Sequence, residues 1–463
     1  MSYTRLKYRI RGGANKNLSN HEKKSRLDIL LIVLELLKNN NITYSIINGI
    51  DDYPENIGRD VDIVIDKRDN LALIKSFREY FTENPKYILL ARKSGYGLYQ
   101  FTIIEENFNS DFISVQLDFT YSNINWIIGV FNPMPIKKIL NSTKEQNGIK
   151  FSEWGNYIKT IRPLVYYHPD NIKKKHHIYL KIINGKYCDD YKKILGDKLF
   201  KKFEKVVNKG QNELIKWAEN LKCKLYFSFL VRNPFISIKN MFFVLLRRIK
   251  VLYFNKVPII GVVGPDGIGK TTLIRKSSEI LNKAGLDIRV KHWRPGLLPN
   301  LGIFIGKKDS NIGINYPPNK KKYRFQLLRF IYYYFDFLLG YFILDSKYLP
   351  ESEFHLVIYD RCSIDMLVNP LRYGFNSKKF VNLIYKYTPK PDYIIFLHDA
   401  EDSIYSRKKE LSIDEIKSQN KIWYQLYLDR RINKIIECGN GIDISAKEIS
   451  KSLLEFLKQY YKI

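Results

Sequence analysis

Residues 27–40, LDILLIVLELLKNN, repeat apolar side chains every three or four positions, the spacing of a helix that buries one face. ITYSIING and DVDIVID follow, short and rich in β-branched residues, and predict strands. NLALIKSFREYF returns to helical spacing, and KYILLAR, GLYQFTII and ISVQLDFT predict three further strands. From about residue 169 to residue 253 the text is helical and basic, without glycine-rich motifs. VPIIGVVG then opens a stretch in which strands and helices alternate as far as SKSLLEFLKQYY, the pattern of a parallel sheet covered on both faces. The expected fold class is α/β throughout. A basic arm at 1–25 leads to an α/β domain at 26–168, a helical connector at 169–253 and a second α/β domain at 254–463.

One apolar run, LLRFIYYYFDFLLGYFIL at 327–344, is as long as a short membrane span. Arg329 and Asp336 inside it would be costly in lipid, so it is read as a buried or interface helix. Peripheral membrane contact through it stays open, as does a homodimer.

Composition adds limits. A chain of 463 residues can build two or three cores, and 45% hydrophobic with 27% charged residues is an ordinary soluble balance. The four cysteines, Cys188, Cys223, Cys362 and Cys438, lie far apart, with no spacing for a disulfide framework or a zinc site. His176 and His177 adjoin each other but have no nearby thiol. This cysteine and histidine usage fits a reducing, cytoplasmic compartment, and the basic, polar start has no apolar core and does not read as a signal peptide. A formal charge of +30 would draw anions. Lys, Ile, Asn and Tyr are all over-used, however, as an AT-rich genome would produce, and the basic residues are spread along the chain. No specific nucleic-acid binding is expected from this charge.

Candidate chemistry concentrates at VVGPDGIGKTT, residues 262–272. Gly264, Gly269, Lys270 and Thr271 satisfy GxxxxGK(S/T), between an apolar strand and an amphipathic helix. Such a loop, with Gly267 and Thr272 also part of it, aims backbone N–H groups and a helix N-terminus at phosphates. Lys270 supplies a cation to the transferring phosphate and the Thr271 hydroxyl suits magnesium. ATP and Mg2+ are the cofactors this implies. Asp266 is unexpected in an anion-binding loop. It either faces a hydroxyl of the molecule being phosphorylated or bonds backbone N–H groups of its own loop.

GPDGIGKTT resembles the loop of thymidylate kinases, which carry an acidic residue at the position of Asp266 and use it to hold a sugar hydroxyl of the acceptor. FHLVIYDRCSID resembles that family's strand ending in Asp-Arg. The resemblance implies Asp360 for magnesium, through water, and Arg361 for a phosphate. KPDYIIFLHDAEDSIYSRKKE looks like the next strand and a lid, in which Arg407, Lys408 and Lys409 would close over the phosphates. For Lys408 and Lys409 a solvated basic helix face is an equal reading. GIDISAKEISKSLLEFL looks like the C-terminal strand, loop and helix, and the resemblance spans about 256–461. There are departures. Cys362 stands where the family has an aromatic residue; Asp336, on the helix whose Asp-Arg pair that family uses to recognise the nucleotide, and Arg294 of HWRPGLLPN are the acceptor contacts the resemblance implies, but Asp336 is followed by Phe337 instead of arginine and the loop lacks the family's second glycine. DMLVNPLRYG adds Asp365 and Arg372 near the expected acceptor site. A WRPG loop with DRxxxDxLVxPxRY is similar to a thymidylate kinase-like group encoded beside bacterial surface-polysaccharide genes, so the acceptor need not be thymidylate.

In the first domain, INGIDDYPENIGRDVDIVID places Asp60 and Asp62 two apart on a strand, so both point the same way. VQLDFT offers Asp118 on a later strand. Three such carboxylates can hold a divalent metal over a triphosphate. The pattern resembles the nucleotidyltransferase superfamily over about 26–120, with Gly58-Arg59 in place of its Gly-Ser. An exposed strand end with a locally satisfied Asp118 would look the same in sequence. Gly49, Asp51 and Asp52 read as turn residues. The sequence thus points to a kinase acting on a nucleoside monophosphate or another small phosphorylated or hydroxylated acceptor, with a second, nucleotidyltransferase activity open. The rivals are a transferase with a nucleotide-sensing C-terminal domain and a nucleotide-regulated scaffold.

Overall fold

The computed structural model describes residues 20–50, 53–54, 57–94, 97–106, 112–121, 136–152, 192, 197–210, 212–217, 221, 227, 230–231, 234–235, 238, 242, 257–293, 298, 326–340, 354–373, 375 and 378–461. The chain divides into two compact units.

In the N-terminal unit, α1 (Asn20–Asn39) buries Ile29, Leu30, Val33, Leu34 and Leu37, the stripe that the apolar spacing predicts. It begins inside the expected basic arm. Strands β1 (Tyr44–Asn48) and β2 (Asp60–Ile65), helix α2 (Asn70–Glu83) and strands β3 (Tyr87–Ser94), β4 (Leu98–Glu106) and β5 (Phe112–Thr120) fall on the segments that predict them. Helix α3 (Ile136–Asn141) and strands β6 (Thr143–Gln146) and β7 (Ile149–Ser152) are additional. Strand β6 is polar and mostly exposed, so no apolar alternation announces it. Its turn does carry a signal: Asn147 and Gly148 sit at φ 52° and 75°, the geometry an Asn-Gly hairpin turn requires.

The seven strands lie in the order β3-β4-β5-β2-β1-β7-β6. Strand β2 pairs antiparallel with β1 and parallel with β5. Phe77 of α2 packs edge-on against Phe101 and Phe119 of the sheet, at 4.8 and 5.6 Å between ring centres. Of the connector, α4 (Asp197–Lys209) buries Phe200, Phe203 and Val207 along one face.

The C-terminal unit alternates as expected. Strand β8 (Ile259–Val263) is buried at every residue. It is followed by α5 (Lys270–Lys283), β9 (Leu286–His292), α6 (Gln326–Gly340), β10 (Phe354–Asp360), α7 (Asp365–Val368), α8 (Lys378–Tyr387), β11 (Tyr393–His398), α9 (Glu401–Arg407), α10 (Ile413–Leu428), β12 (Lys434–Glu437) and α11 (Ile442–Tyr460). The order is β12-β11-β8-β10-β9 and every pairing is parallel. The first strand of the unit is therefore central, and its carboxyl end lies between those of β10 and β11. In such sheets ligands bind just outside the carboxyl ends. Serines let α5 approach α11 closely, with Ser277 Oγ donating to Ala446 O at 3.2 Å.

One expectation is corrected. GIDIS is not the last strand but the start of α11; the strand is KIIE, at 434–437. Ile442 and Ile444 alternate like a strand yet are exposed, whereas Ile436 is buried in the sheet. The aromatic helix α6 is half-buried. Phe337 is in the core and Phe330 and Tyr333 pack against it, while Leu327, Leu328, Ile331, Phe335 and Leu339 are exposed. Among the described residues, no helix is long and apolar enough to cross a membrane.

Candidate active site

At the end of β8 the backbone turns through Gly264 at φ 153°, where a Cβ would lie 2.7 Å from Leu397 O of β11. Only glycine lets the loop pass that close. Gly267, at φ 91°, lies under the end of α9, and a Cβ there would meet Lys408 Cβ at 3.1 Å. Gly269 caps α5 at φ 93°. The segment holding Arg407 and Lys408 thus borders the loop it was expected to cover.

Lys270 opens α5 and is buried. Its ammonium donates to Gly264 O at 2.8 Å and Pro265 O at 2.7 Å and lies 3.8 Å from Asp266. Burial pushes its pKa down to about 8, against the pull of Asp360 and Asp365. Thr271 Oγ1 donates to Asp360 Oδ2 at 2.6 Å, and Thr272 lies exposed in the first turn of α5. Asp360 Oδ1 is buried without a hydrogen-bond partner. Burial raises the Asp360 pKa, but His292, Thr271 and Lys270 outweigh it and hold the carboxylate below its ordinary value. A hydroxyl beside an ionised carboxylate with one unsatisfied oxygen is a donor set that fits magnesium.

Lys270 has a consequence for stability. Unfolded, it keeps its proton up to about 10.5; folded, it loses it near 8. Between those values the unfolded state binds more protons, so this residue makes stability rise with pH across the window. Cys362, pushed up to about 12 by burial, acts in the opposite sense above 9. The informative quantity is therefore the difference between wild type and Lys270→Met in urea unfolding from neutral pH to about 10. The wild type should gain relative to the variant as pH rises. Parallel pH profiles would show that Lys270 titrates normally.

Asp266 is held by side chains. One oxygen takes Arg361 and the other Arg372, both in close contact. Arg361 also donates to Asp365 at 3.1 Å, and Tyr373 O–H donates to the same Asp365 oxygen. Burial, with Asp365 adding to it, pushes the Tyr373 pKa well above its usual value, so the hydroxyl keeps its proton. Arg361 sits at φ 71°, a left-handed conformation that costs a non-glycine residue on the order of 1–3 kcal/mol. Its N–H bond to Val262 O, at 3.0 Å, and its two carboxylate partners hold it there. Trp293, also left-handed at φ 58°, donates its backbone N–H to the Asp360 carbonyl oxygen at 2.9 Å. Its ring stacks on Tyr373 with centres 4.6 Å apart.

The fold therefore brings Asp266, Lys270, Thr271, Asp360, Arg361, Asp365 and Arg372 into one charge-balanced cluster, in which Lys270, Asp360, Arg361 and Asp365 are buried, Asp266 and Arg372 half-buried and Thr271 exposed. Arg407 is held at Asp399, at the end of β11. Lys408 pairs with Glu410 at 2.8 Å, and Lys409 lies over the Tyr405 ring. Asp336, expected at the acceptor, is fully buried and accepts Leu298 N–H at 2.7 Å, which ties α6 to the segment after β9. Arg294 lies outside the described residues. Tyr373, Asp399 and His292, which lies 3.8 Å from Asp360, join the site without having been singled out from sequence. Tyr373 had a signal in its place directly after Arg372; His292 had one only in ending β9, and Asp399 only in following β11.

In the N-terminal unit, parallel pairing sets Asp62 opposite Asp118. Carboxylate oxygens of Asp60, Asp62 and Asp118 all lie within 4.8 Å of one another. Amide groups orient them: Asn48 donates to Asp62 at 2.8 Å, and Gln100 to Asp118 at 3.3 Å. Three clustered carboxylates on adjoining strands are a hard-oxygen donor set of the kind divalent cations take.

No protein-family model matches the chain, and no curated protein does either. Two solved structures similar to it are a thymidylate kinase from Ehrlichia chaffeensis and a deoxyadenosine kinase from M. mycoides with bound dATP. The first is 14% identical and covers 43% of this chain and 99% of its own, with a TM-score of 0.29. The second is 16% identical and covers 42% of this chain and 98% of its own, with a TM-score of 0.28.

Proposed function

We propose that the domain at 254–463 is an ATP- and magnesium-dependent kinase. It moves the γ-phosphate to a nucleoside monophosphate or another small phosphorylated or hydroxylated acceptor. The observation that carries this reading is the meeting of Lys270 and Thr271 with Asp360 and Arg361 where β8 and β10 end. An acceptor oxygen attacks the γ-phosphorus, the bond to the β-phosphate oxygen breaks, and ADP leaves. Lys270 turns from the Gly264 and Pro265 carbonyls to the phosphates, which offer it a full charge. Arg361 and Arg372 are the cations available to an acceptor phosphate, which would compete with Asp266 for them. Thr271 and Asp360 would hold magnesium, which offsets charge on the phosphates. Arg407 would reach the phosphates only by leaving Asp399. The resemblance to proteins encoded with surface-polysaccharide genes supports an acceptor other than thymidylate, and cysteine usage supports a cytoplasmic setting. Purified protein with γ-labelled ATP and a panel of nucleoside monophosphates and sugar phosphates tests the reading. Transfer to one acceptor class is expected; no transfer above background to any of them would refute it.

The carboxylates of Asp60, Asp62 and Asp118 favour a second activity, metal-dependent nucleotidyl transfer, in the domain at 26–168. Asp60→Asn with Asp62→Asn should cut nucleotidyl transfer from labelled triphosphates by at least roughly 100-fold and spare the kinase. Transfer that survives in this double variant would leave the three aspartates a structural role.

A further inference from the structure

Beyond α4, the described residues of the connector carry an apolar stripe that the rest of the unit leaves uncovered. Phe227, Val231, Phe235, Ile238 and Phe242 are helical and 70%, 66%, 87%, 61% and 57% exposed. They recur at three- and four-residue steps, the spacing of a helix face. Single exposed apolar residues are ordinary, but a run of phenylalanines is not. The sequence around the stripe has one sign of charge: residues 221–256 contain eight Lys and Arg and no Asp or Glu.

We propose that this stripe docks the protein on an anionic lipid bilayer surface. The rings and aliphatic side chains would enter the boundary between headgroups and acyl chains, and the positive charge that the sequence carries over 221–256 would draw headgroup phosphates. Charge selects this occupant over the others. A second copy of the chain would bring the same unopposed positive charge to the interface. Nucleic acid would match the charge, but Val231 and Ile238 offer no plane for a base to stack on. Basic residues interrupting the apolar sequence, at 232 and 239, fit a segment that lies on the surface and does not cross it.

Sedimentation of the full chain with vesicles tests the proposal. The protein should pellet with vesicles of mixed phosphatidylcholine and phosphatidylglycerol, remain in solution with phosphatidylcholine alone, and be released by high salt. Phe235→Asp with Ile238→Asp should weaken partitioning at least about tenfold. Melting temperature and helix content should not change, because both side chains are already in water. Equal pelleting of wild type and variant, or no pelleting of either with the anionic vesicles, overturns the proposal. So does a wild-type dimer that the double substitution splits while vesicle binding is absent, since the stripe would then join two copies of the chain.

Discussion

Lys270→Ala should abolish phosphoryl transfer while leaving the protein folded. Removing one preorganised charge stabiliser from a site that excludes water typically costs about 3–4 kcal/mol of barrier, or roughly 10²–10³ in rate. Lys270 is such a group, because burial has stripped its ammonium of water, and two carbonyl hydrogen bonds with Asp266 3.8 Å away replace the lost hydration. Structural effects largely cancel. The variant loses the donor to Gly264 O and Pro265 O but also removes a buried cation that lowered stability below pH 8. Acceptor-dependent ADP release measured beside the melting temperature separates the two roles. Turnover at the wild-type rate would end the kinase assignment. Turnover that falls only together with the melting temperature would make Lys270 a structural residue.

Asp266→Ala should produce the largest loss of stability among substitutions in this site. Its two oxygens neutralise Arg361 and Arg372. Breaking a buried pair by removing one partner typically costs about 3–5 kcal/mol, mainly because a charge is left behind. The low end, about 3, applies here, since Arg361 keeps Asp365 and Arg372 is partly exposed. Asp266→Ala with Arg372→Ala should recover at least about 1 kcal/mol of the sum of the single losses. Urea unfolding of wild type, the two single variants and the double variant closes the cycle. Additive losses would show that Asp266 and Arg372 do not interact, whatever their distance. The acceptor Michaelis constant in the same variants adds the functional half. A rise with ATP affinity unchanged supports a carboxylate that meets the acceptor once the arginines turn away. A fall in ATP affinity alone would confine Asp266 to holding the loop.

Local structure was legible because its causes are local. Apolar period alone placed α1, α2, β1–β5 and β8, since which face a residue presents depends only on its near neighbours in the chain. The phosphate loop was legible for the same reason: Gly264, Gly269, Lys270 and Thr271 act within one turn of backbone. Ambiguity entered where alternation did not reflect burial. Ile442 and Ile444 mimic a strand because their side chains face water at the start of a helix, and β6 has no apolar face at all. The sequence could propose Asp118 as a third carboxylate. Its approach to Asp60 and Asp62, however, rests on β5 pairing parallel to β2 in one register, and a one-residue slip would turn it to the other face. Asp266 shows the same limit. Its neighbours in the chain suggested either an acceptor hydroxyl or the loop's own N–H groups. Besides Lys270 of its own loop, its hydrogen-bonded partners stand at 361 and 372 and reach it only because β10 runs beside β8 and the chain then turns back over the loop. Asp336 was placed by resemblance at the acceptor, whereas the tertiary structure gives it the N–H of Leu298. Periodicity is set by the chain's immediate neighbours, but a buried charge is satisfied by whatever the fold brings within about 3 Å, and that is decided by strand order and register.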